Sequence, residues 1–129
     1  MTSAQAEIIP KRGEIWRINF DPARGYEIEK TRPGVIISPN GLASLDLRIV
    51  VPLTTWQDKH DSRPWIVRIT ADPVNGLPND SGADTFQVKS LTVGRFIRRP
   101  GVASAEQLQA ISESIALCVG YAPRSAAGD

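Results

Sequence analysis

Short extended runs, each cut off by proline or glycine, constrain this chain more than any other feature. Asp21-Pro22, Arg32-Pro33, Pro39-Asn40-Gly41, Pro52, Pro64, the Pro-, Asn-, Asp- and Gly-rich stretch 72–82 and Pro100-Gly101 interrupt it at short intervals. Proline removes a ladder donor and fixes φ, and clusters of these residues are the chemistry of turns. Between the breaks, residues 14–20 alternate, with Trp16, Ile18 and Phe20 on one face and Ile15, Arg17 and Asn19 on the other. That is the period of a half-buried strand. Further strands are expected at 34–38, 47–53, 64–70 and 83–91, with a short one at 93–98. Pro52, near the end of the third, implies an edge or a bulge, and Pro100-Gly101 is expected to end the β pattern.

Only the last stretch carries a helical period. Ser104 followed by Gln107 has the form of a capping box, and Leu108, Ile111, Ile115 and Cys118 recur at three- and four-residue steps before Gly120. The expected fold is therefore mainly β: a strongly bent antiparallel sheet, partly open and barrel-like in the SH3-like manner, with one C-terminal α-helix against it. The 129 residues fit one domain, expected at 13–121, between a flexible tail at 1–12 and a polar tail at 122–129.

Composition excludes several classes. No apolar run approaches the roughly 18–20 residues of a membrane span, and residues 1–10 lack the pattern of a secretory signal. One cysteine builds no disulfide framework, so a reducing cytoplasm is the expected compartment. Formal net charge is +1, so any anion site must be local. The cations do gather: Arg24, Lys30 and Arg32 around one loop, Lys59 and Arg63 around His60, then Arg95, Arg98 and Arg99.

The first of these clusters lies in Gly-Tyr-Glu-Ile-Glu-Lys-Thr-Arg-Pro, residues 25–33, between two expected strands. It brings Tyr26, Glu27, Glu29, Lys30 and Arg32 into one loop that suits anion binding and proton transfer. The residue before proline is driven to extended geometry, so Arg32 stands at a strand mouth. The plainer reading is a strand-end ion pair between Arg32 and Glu27 or Glu29. One His and one Cys make no zinc set, and no spacing fits a calcium loop or Walker motif, so no metal or cofactor is expected. His60 reads as an exposed loop histidine with nothing to fix its tautomer, and Cys118 as a buried, inert thiol on the apolar helix face.

Gly13-Glu14-Ile15-Trp16, Asp21-Pro22, Gly25-Tyr26-Glu27, Thr31-Arg32-Pro33, Ser38-Pro39, Val51-Pro52-Leu53-Thr54 and Gln87-Val88-Lys89-Ser90 stand in order from Gly13 to about Gly120. Together they resemble the successive motifs of the MazF/PemK toxins of bacterial toxin-antitoxin systems. The resemblance implies a homodimer, a cognate antitoxin partner and a metal-independent, sequence-specific endoribonuclease that cuts single-stranded RNA and so inhibits translation and growth. It puts the catalytic arginine on Arg32, the catalytic threonine on Thr54 and the glutamate of the first loop on Glu27. Many members carry aspartate where this chain has Phe86, and Asp84, two residues earlier, is expected on the same strand face.

Metal-free cleavage by the ribose 2′-hydroxyl needs a proton acceptor, a cation on the phosphoryl oxygens and a proton for the leaving 5′ oxygen. Arg32 suits the cation, because a guanidinium grips phosphate in bidentate fashion and stays charged. Thr54 can donate to the same phosphate, and Glu27 or Asp84 is the candidate base. Tyr26, Lys30, Gln87 and Lys89 are candidate substrate contacts. Trp56 either stacks on an unpaired base or anchors its loop, whereas Trp16 and Trp65 are expected in the core. Two rivals remain: a CcdB-type poison that binds DNA gyrase without catalysis, and a degenerate member that only binds RNA.

Overall fold

A computed structural model describes residues 9–122; the rest of the expected tails lies outside the described residues. Seven strands and one helix follow in order: β1 Glu14–Asn19, β2 Thr31–Ile36, β3 Leu47–Thr55, β4 Ile66–Ile69, β5 Ser81–Asp84, β6 Lys89–Thr92, β7 Phe96–Val102 and α1 Ala105–Cys118. The strands form one antiparallel sheet in the order β4-β5-β3-β2-β1-β7, with β6 also paired to β3. The sheet does not close on itself, and the mainly β class with a terminal helix is as expected.

Both faces of its centre are covered. On one, Ile15, Val35, Val51, Leu53, Ile69 and Ala83 pack with Ile111 of α1, flanked by Leu108 and Ile115. On the other, Trp16, Ile18, Phe20, Ile36, Val50 and Leu91 gather with Ile28 and Phe96. Thus β1 is not simply half-buried: Ile15 is as inaccessible as Ile18. Trp16 is core as expected, but Trp65 is only half-buried.

The helix begins at the predicted capping box, where Gln107 N–H donates to Ser104 Oγ at 3.0 Å and Ser104 N–H to Gln107 Oε1 at 2.8 Å. It ends with Gly120 at φ 70°. There Tyr121 N–H donates to Ala116 O and Gly120 N–H to Leu117 O, which is a Schellman closure that needs the left-handed residue. Cys118 is half-exposed rather than buried.

Several boundaries differ from expectation. The single strand at 83–91 is two, because Asp84 accepts Phe86 N–H and nucleates a 3-10 turn, Thr85–Gln87. Thr85, fully buried, turns inward to donate to Trp65 O at 2.6 Å. Gln87 therefore lies in a turn, and Asp84 and Phe86 do not share a strand face. The stretch 93–98 starts as a 3-10 turn, and β7 then runs through Pro100-Gly101 instead of stopping there. An edge strand tolerates the missing donor of Pro100. Gly101 is required by contact, since a Cβ there would lie 2.3 Å from Val74 O. Pro52 is at no edge: β3 is central, and Pro52 falls where β3 has left β6 at Val50–Lys89 and not yet met β5 at Leu53–Ala83. Its missing N–H goes unused at that seam. Pro10–Arg12, expected in the tail, are bonded to the body: Arg48 Nε donates to Pro10 O and Arg12 N–H to Asn40 Oδ1.

Candidate active site

β2 pairs with β3 through Ile36–Val50, Val35–Val51 and Gly34–Pro52, and then stops. The reason lies in which residues point where. Ile37 N–H donates to Ile49 O, so the odd residues of this segment face β3, while Lys30 O accepts Phe20 N–H on the β1 side. The next hydrogen-bonded pair with β3 would be Pro33 with Leu53, and Pro33 has no N–H to give. Beyond it β3 pairs with β5, Thr54 opposite Gly82 and Thr55 opposite Ser81. The two strands fork.

A cleft of about 320 Å³ opens in the fork. Thr31, Arg32 and Pro33 line one prong, Leu53, Thr54 and Thr55 the other, with Arg17, Lys30, Pro78, Asn79 and Ser81 around them. Carrying the β2–β3 register two residues past its last pair, Gly34–Pro52, places Arg32 opposite Thr54. Three cations and no carboxylate line the cleft, which gives it a positive potential suited to phosphate. Arg32 is half-exposed and makes no ion pair with Glu27 or Glu29; its one side-chain bond is a long one, Nε to Glu29 O at 3.4 Å. Among the described residues only Arg68–Asp80 and Arg99–Glu14 form ion pairs. The Arg32 guanidinium is thus free to take a ligand.

The loop between β1 and β2 is shaped by its own backbone. Lys30 has φ 66°, a left-handed conformation that costs a non-glycine residue about 1–2 kcal/mol. It is held by Lys30 N–H to Asp21 Oδ1 at 2.8 Å and Lys30 O to Phe20 N–H at 2.9 Å. At the other end, Gln87 straps the loop down. Its Oε1 accepts Ile28 N–H at 2.6 Å, and its Nε2 donates to Tyr26 O and to Asp84 Oδ2, both at 3.2 Å.

The predicted residues therefore separate. Arg32, Thr54 and Lys30 meet in the fork cleft. Tyr26, Glu27, Gln87 and Lys89 line a second depression of about 410 Å³, together with Phe86 and Val88. Tyr26 is fully exposed there. Glu27 Oε1 accepts Arg24 N–H at 2.7 Å, which leaves Oε2 unengaged among the described residues. Trp56 borders neither hollow: the Arg68 guanidinium lies 5.0 Å from its ring centre and the His60 ring meets it edge-on at 5.4 Å. That packing anchors its loop.

His60 is not the exposed histidine expected from sequence. It is buried in the 3-10 turn Asp58–Ser62, and Nδ1 accepts Gln57 N–H at 3.1 Å, which fixes a neutral ring with the proton on Nε2. Burial, then the charges of Arg63 and Lys59, hold its pKa below the usual histidine value, against a smaller upward pull from Asp84. The residues missed from sequence are Arg17, Asn79 and Ser81. Arg17 sat in plain view on the polar side of β1's alternation, but only the fork shows that this side meets the cleft.

A family model described as PemK-like, MazF-like toxin of type II toxin-antitoxin systems matches residues 11–119. The chain is 34% identical over 113 residues to "Endoribonuclease MazF9" of Mycobacterium tuberculosis, covering 83% of this chain and 93% of that protein. It is 29% identical over 116 residues to "Endoribonuclease toxin MazF" of Escherichia coli K12, covering 87% and 96%. In fold it is similar to the crystal structure of MazF from Deinococcus radiodurans, with TM-score 0.75, 21% identity, and 88% and 99% of the two chains covered. An endoribonuclease from a mycobacterial species, solved with its cognate antitoxin, superposes with TM-score 0.69 at 18% identity, covering 89% and 99%.

Proposed function

The chain belongs to the PemK/MazF-like toxins of type II toxin-antitoxin systems, and from that premise we propose that it is a sequence-specific endoribonuclease acting on single-stranded RNA, with the fork cleft as its catalytic centre. The observation that carries the assignment is the convergence of Arg32 and Thr54 on one positively lined cleft that contains no carboxylate. In the proposed reaction the 2′-oxygen of one nucleotide bonds to the adjacent phosphorus as the bond to the 5′-oxygen breaks. The products are a 2′,3′-cyclic phosphate and a 5′-hydroxyl. Arg32 holds the phosphoryl oxygens as negative charge builds on them, and the Thr54 hydroxyl donates to the same group.

Glu27, which lines the depression beside the cleft on the same β1–β2 loop that brings Lys30 into it, is the proposed acceptor of the 2′ proton. Of the two carboxylates weighed for that role, Asp84 has both oxygens engaged, by Phe86 N–H and by Gln87, whereas Glu27 keeps one unengaged. The leaving 5′-oxygen takes its proton from the solvent side of the cleft. Tyr26, Lys89 and the strapping Gln87 form the floor over which the neighbouring nucleotide lies. The functional unit is a homodimer of the domain 13–121, it resides in the cytoplasm, and an acidic antitoxin that folds on binding covers the cleft. The antitoxin complexes among its structural relatives support that partner.

The test is cleavage of a long single-stranded RNA in EDTA, mapped by primer extension. Arg32→Ala and Thr54→Ala are expected to lower the rate by about 10²–10³ each while the protein remains folded by circular dichroism, the usual loss on removing a donor to developing charge. Full-rate cleavage by either variant would remove that residue from the site, and wild-type cleavage abolished by EDTA would remove the metal-independent mechanism.

A further inference from the structure

One cation of the fork cleft has a neighbour outside it. Arg17 lines the cleft from β1, and its partner across the β1–β7 ladder is Arg98. Residues paired across a ladder share a face, so the two side chains leave the sheet on the same side, at a point where the ladder is irregular before and after the pair. Like charges directly opposite each other weaken a strand pair. Among the described residues neither arginine forms an ion pair, and Arg98 makes no side-chain hydrogen bond. Arg17 has a single long one, NH2 to Thr31 O at 3.4 Å. The other arginines of this region are engaged and provide the contrast. Arg95 is bonded to Asn19 O and Asp21 O, and Arg99, on the opposite face, pairs with Glu14.

Two arginines on one face of the sheet, one of them lining the cleft and neither ion-paired among the described residues, suit a polyanion. Resting on the nuclease reading of the cleft, we propose that Arg17 and Arg98 form a backbone-binding track. In it a single-stranded RNA leaving the fork crosses β1 to the edge strand β7, with successive phosphates neutralised by the two arginines. These residues bind and orient the strand and take no part in the bond-breaking step. Phosphate contacts carry no sequence information, so the track raises affinity for every RNA alike.

Each phosphate neutralised releases counterions, and for single strands the logarithm of the binding constant falls with the logarithm of salt concentration with a slope of about −0.7 per contact. The probe is a mixed-sequence RNA 20-mer with 2′-O-methyl groups throughout, which has no attacking hydroxyl. Its binding to wild type and to Arg17→Gln, Arg98→Gln and the double variant is measured by fluorescence anisotropy across salt concentrations. The slope is expected to flatten by about 0.7 in each single variant and about 1.4 in the double variant. Arg17→Lys and Arg98→Lys should keep the wild-type slope, because charge is what counts, and so should Arg99→Gln on the other face.

With cleavable RNA, Arg98→Gln, which changes no residue of the cleft, should raise KM by more than it lowers kcat. Unchanged slopes in the double variant overturn the track. So does an unchanged RNA slope accompanied by weakened binding of poly-glutamate, which would assign the pair to an acidic polypeptide instead. A wild type that binds with the expected salt slope but never cleaves would overturn the nuclease reading and leave the track standing. If a Gln variant lowers the thermal midpoint, the Lys variants still decide the matter.

Discussion

The two hollows served by the β1–β2 loop differ in what their polar atoms are already doing. In the fork cleft the Arg32 guanidinium makes only one long bond and the Thr54 hydroxyl none among the described residues, and the backbone ladder that would close the cleft is broken by Pro33. In the depression beside it, Gln87 makes three hydrogen bonds, Asp84 caps a turn, and one Glu27 oxygen holds Arg24. The first region keeps its bonding capacity for a ligand, and the second spends most of its own on holding the loop. Chemistry is expected where donors are free, which makes Glu27 the residue that tests the contrast: it is the proposed base, yet it sits with the structural group.

Glu27→Gln should break or sharpen this most. The amide oxygen can still accept Arg24 N–H, so the loop should hold and the thermal midpoint should stay within about a degree. A glutamine cannot take the 2′ proton, and loss of a general base typically costs about 10²–10⁴ in rate. Single-turnover cleavage beside thermal unfolding separates the outcomes. A rate near wild type with a lowered midpoint would make Glu27 a loop cap and confine the chemistry to the fork.

A smaller effect is expected from Pro33→Ala. Alanine restores the N–H that would pair Pro33's position with Leu53, so the ladder can advance one step and narrow the cleft. Cleavage should fall about tenfold, the order expected when reacting groups are displaced without being removed. The new backbone amide at position 33 should become protected from hydrogen exchange. N-methyl-alanine at the same position, introduced by semisynthesis, lacks the donor and should retain activity. An active Pro33→Ala protein whose new amide exchanges freely would mean that something other than the missing donor holds the prongs apart.

The sequence made the sheet-plus-helix architecture legible because alternation and capping are local signals, and Ser104, Gln107 and Gly120 behave as their residue types dictate. It also marked Arg32, which a following proline holds at a strand mouth, whereas Thr54 by itself reads as an ordinary strand threonine and stands out only through the resemblance to the family's motifs. The role of the prolines was less visible. Pro33 and Pro52 both lie inside strands and both fall at ladder breaks, but a proline in one strand says nothing about which neighbour it fails to reach. Arg17 escaped for the same reason, as its importance depends on partners 16 and 81 residues away, Pro33 and Arg98. His60 was misjudged because its polar neighbours Asp58, Lys59 and Asp61 suggest exposure, whereas the turn folds the ring inward against Trp56.

His60 provides the smallest effect, and its sign follows from its surroundings. The ring's pKa is depressed below 6.5 in the fold, chiefly by burial and then by Arg63 and Lys59. The stability it contributes is therefore full where both states hold a neutral ring, and is lost as pH falls below about 6.5, where the unfolded chain takes up the proton first. Asp80 is also depressed, by Ala71 N–H and then Arg68, but its loss begins only below its ordinary value of 3.8. Between pH 7.5 and 5.5 the urea midpoint should accordingly drop in wild type. In His60→Asn, whose side-chain oxygen can still take the Gln57 N–H, the drop should be smaller. Because the ring borders neither hollow, the same variant should cleave RNA at pH 7.5 within about twofold of wild type. A rate collapse in that variant would extend the chemical region beyond the fork to the Trp56 loop, and the division between the two hollows would no longer describe the site.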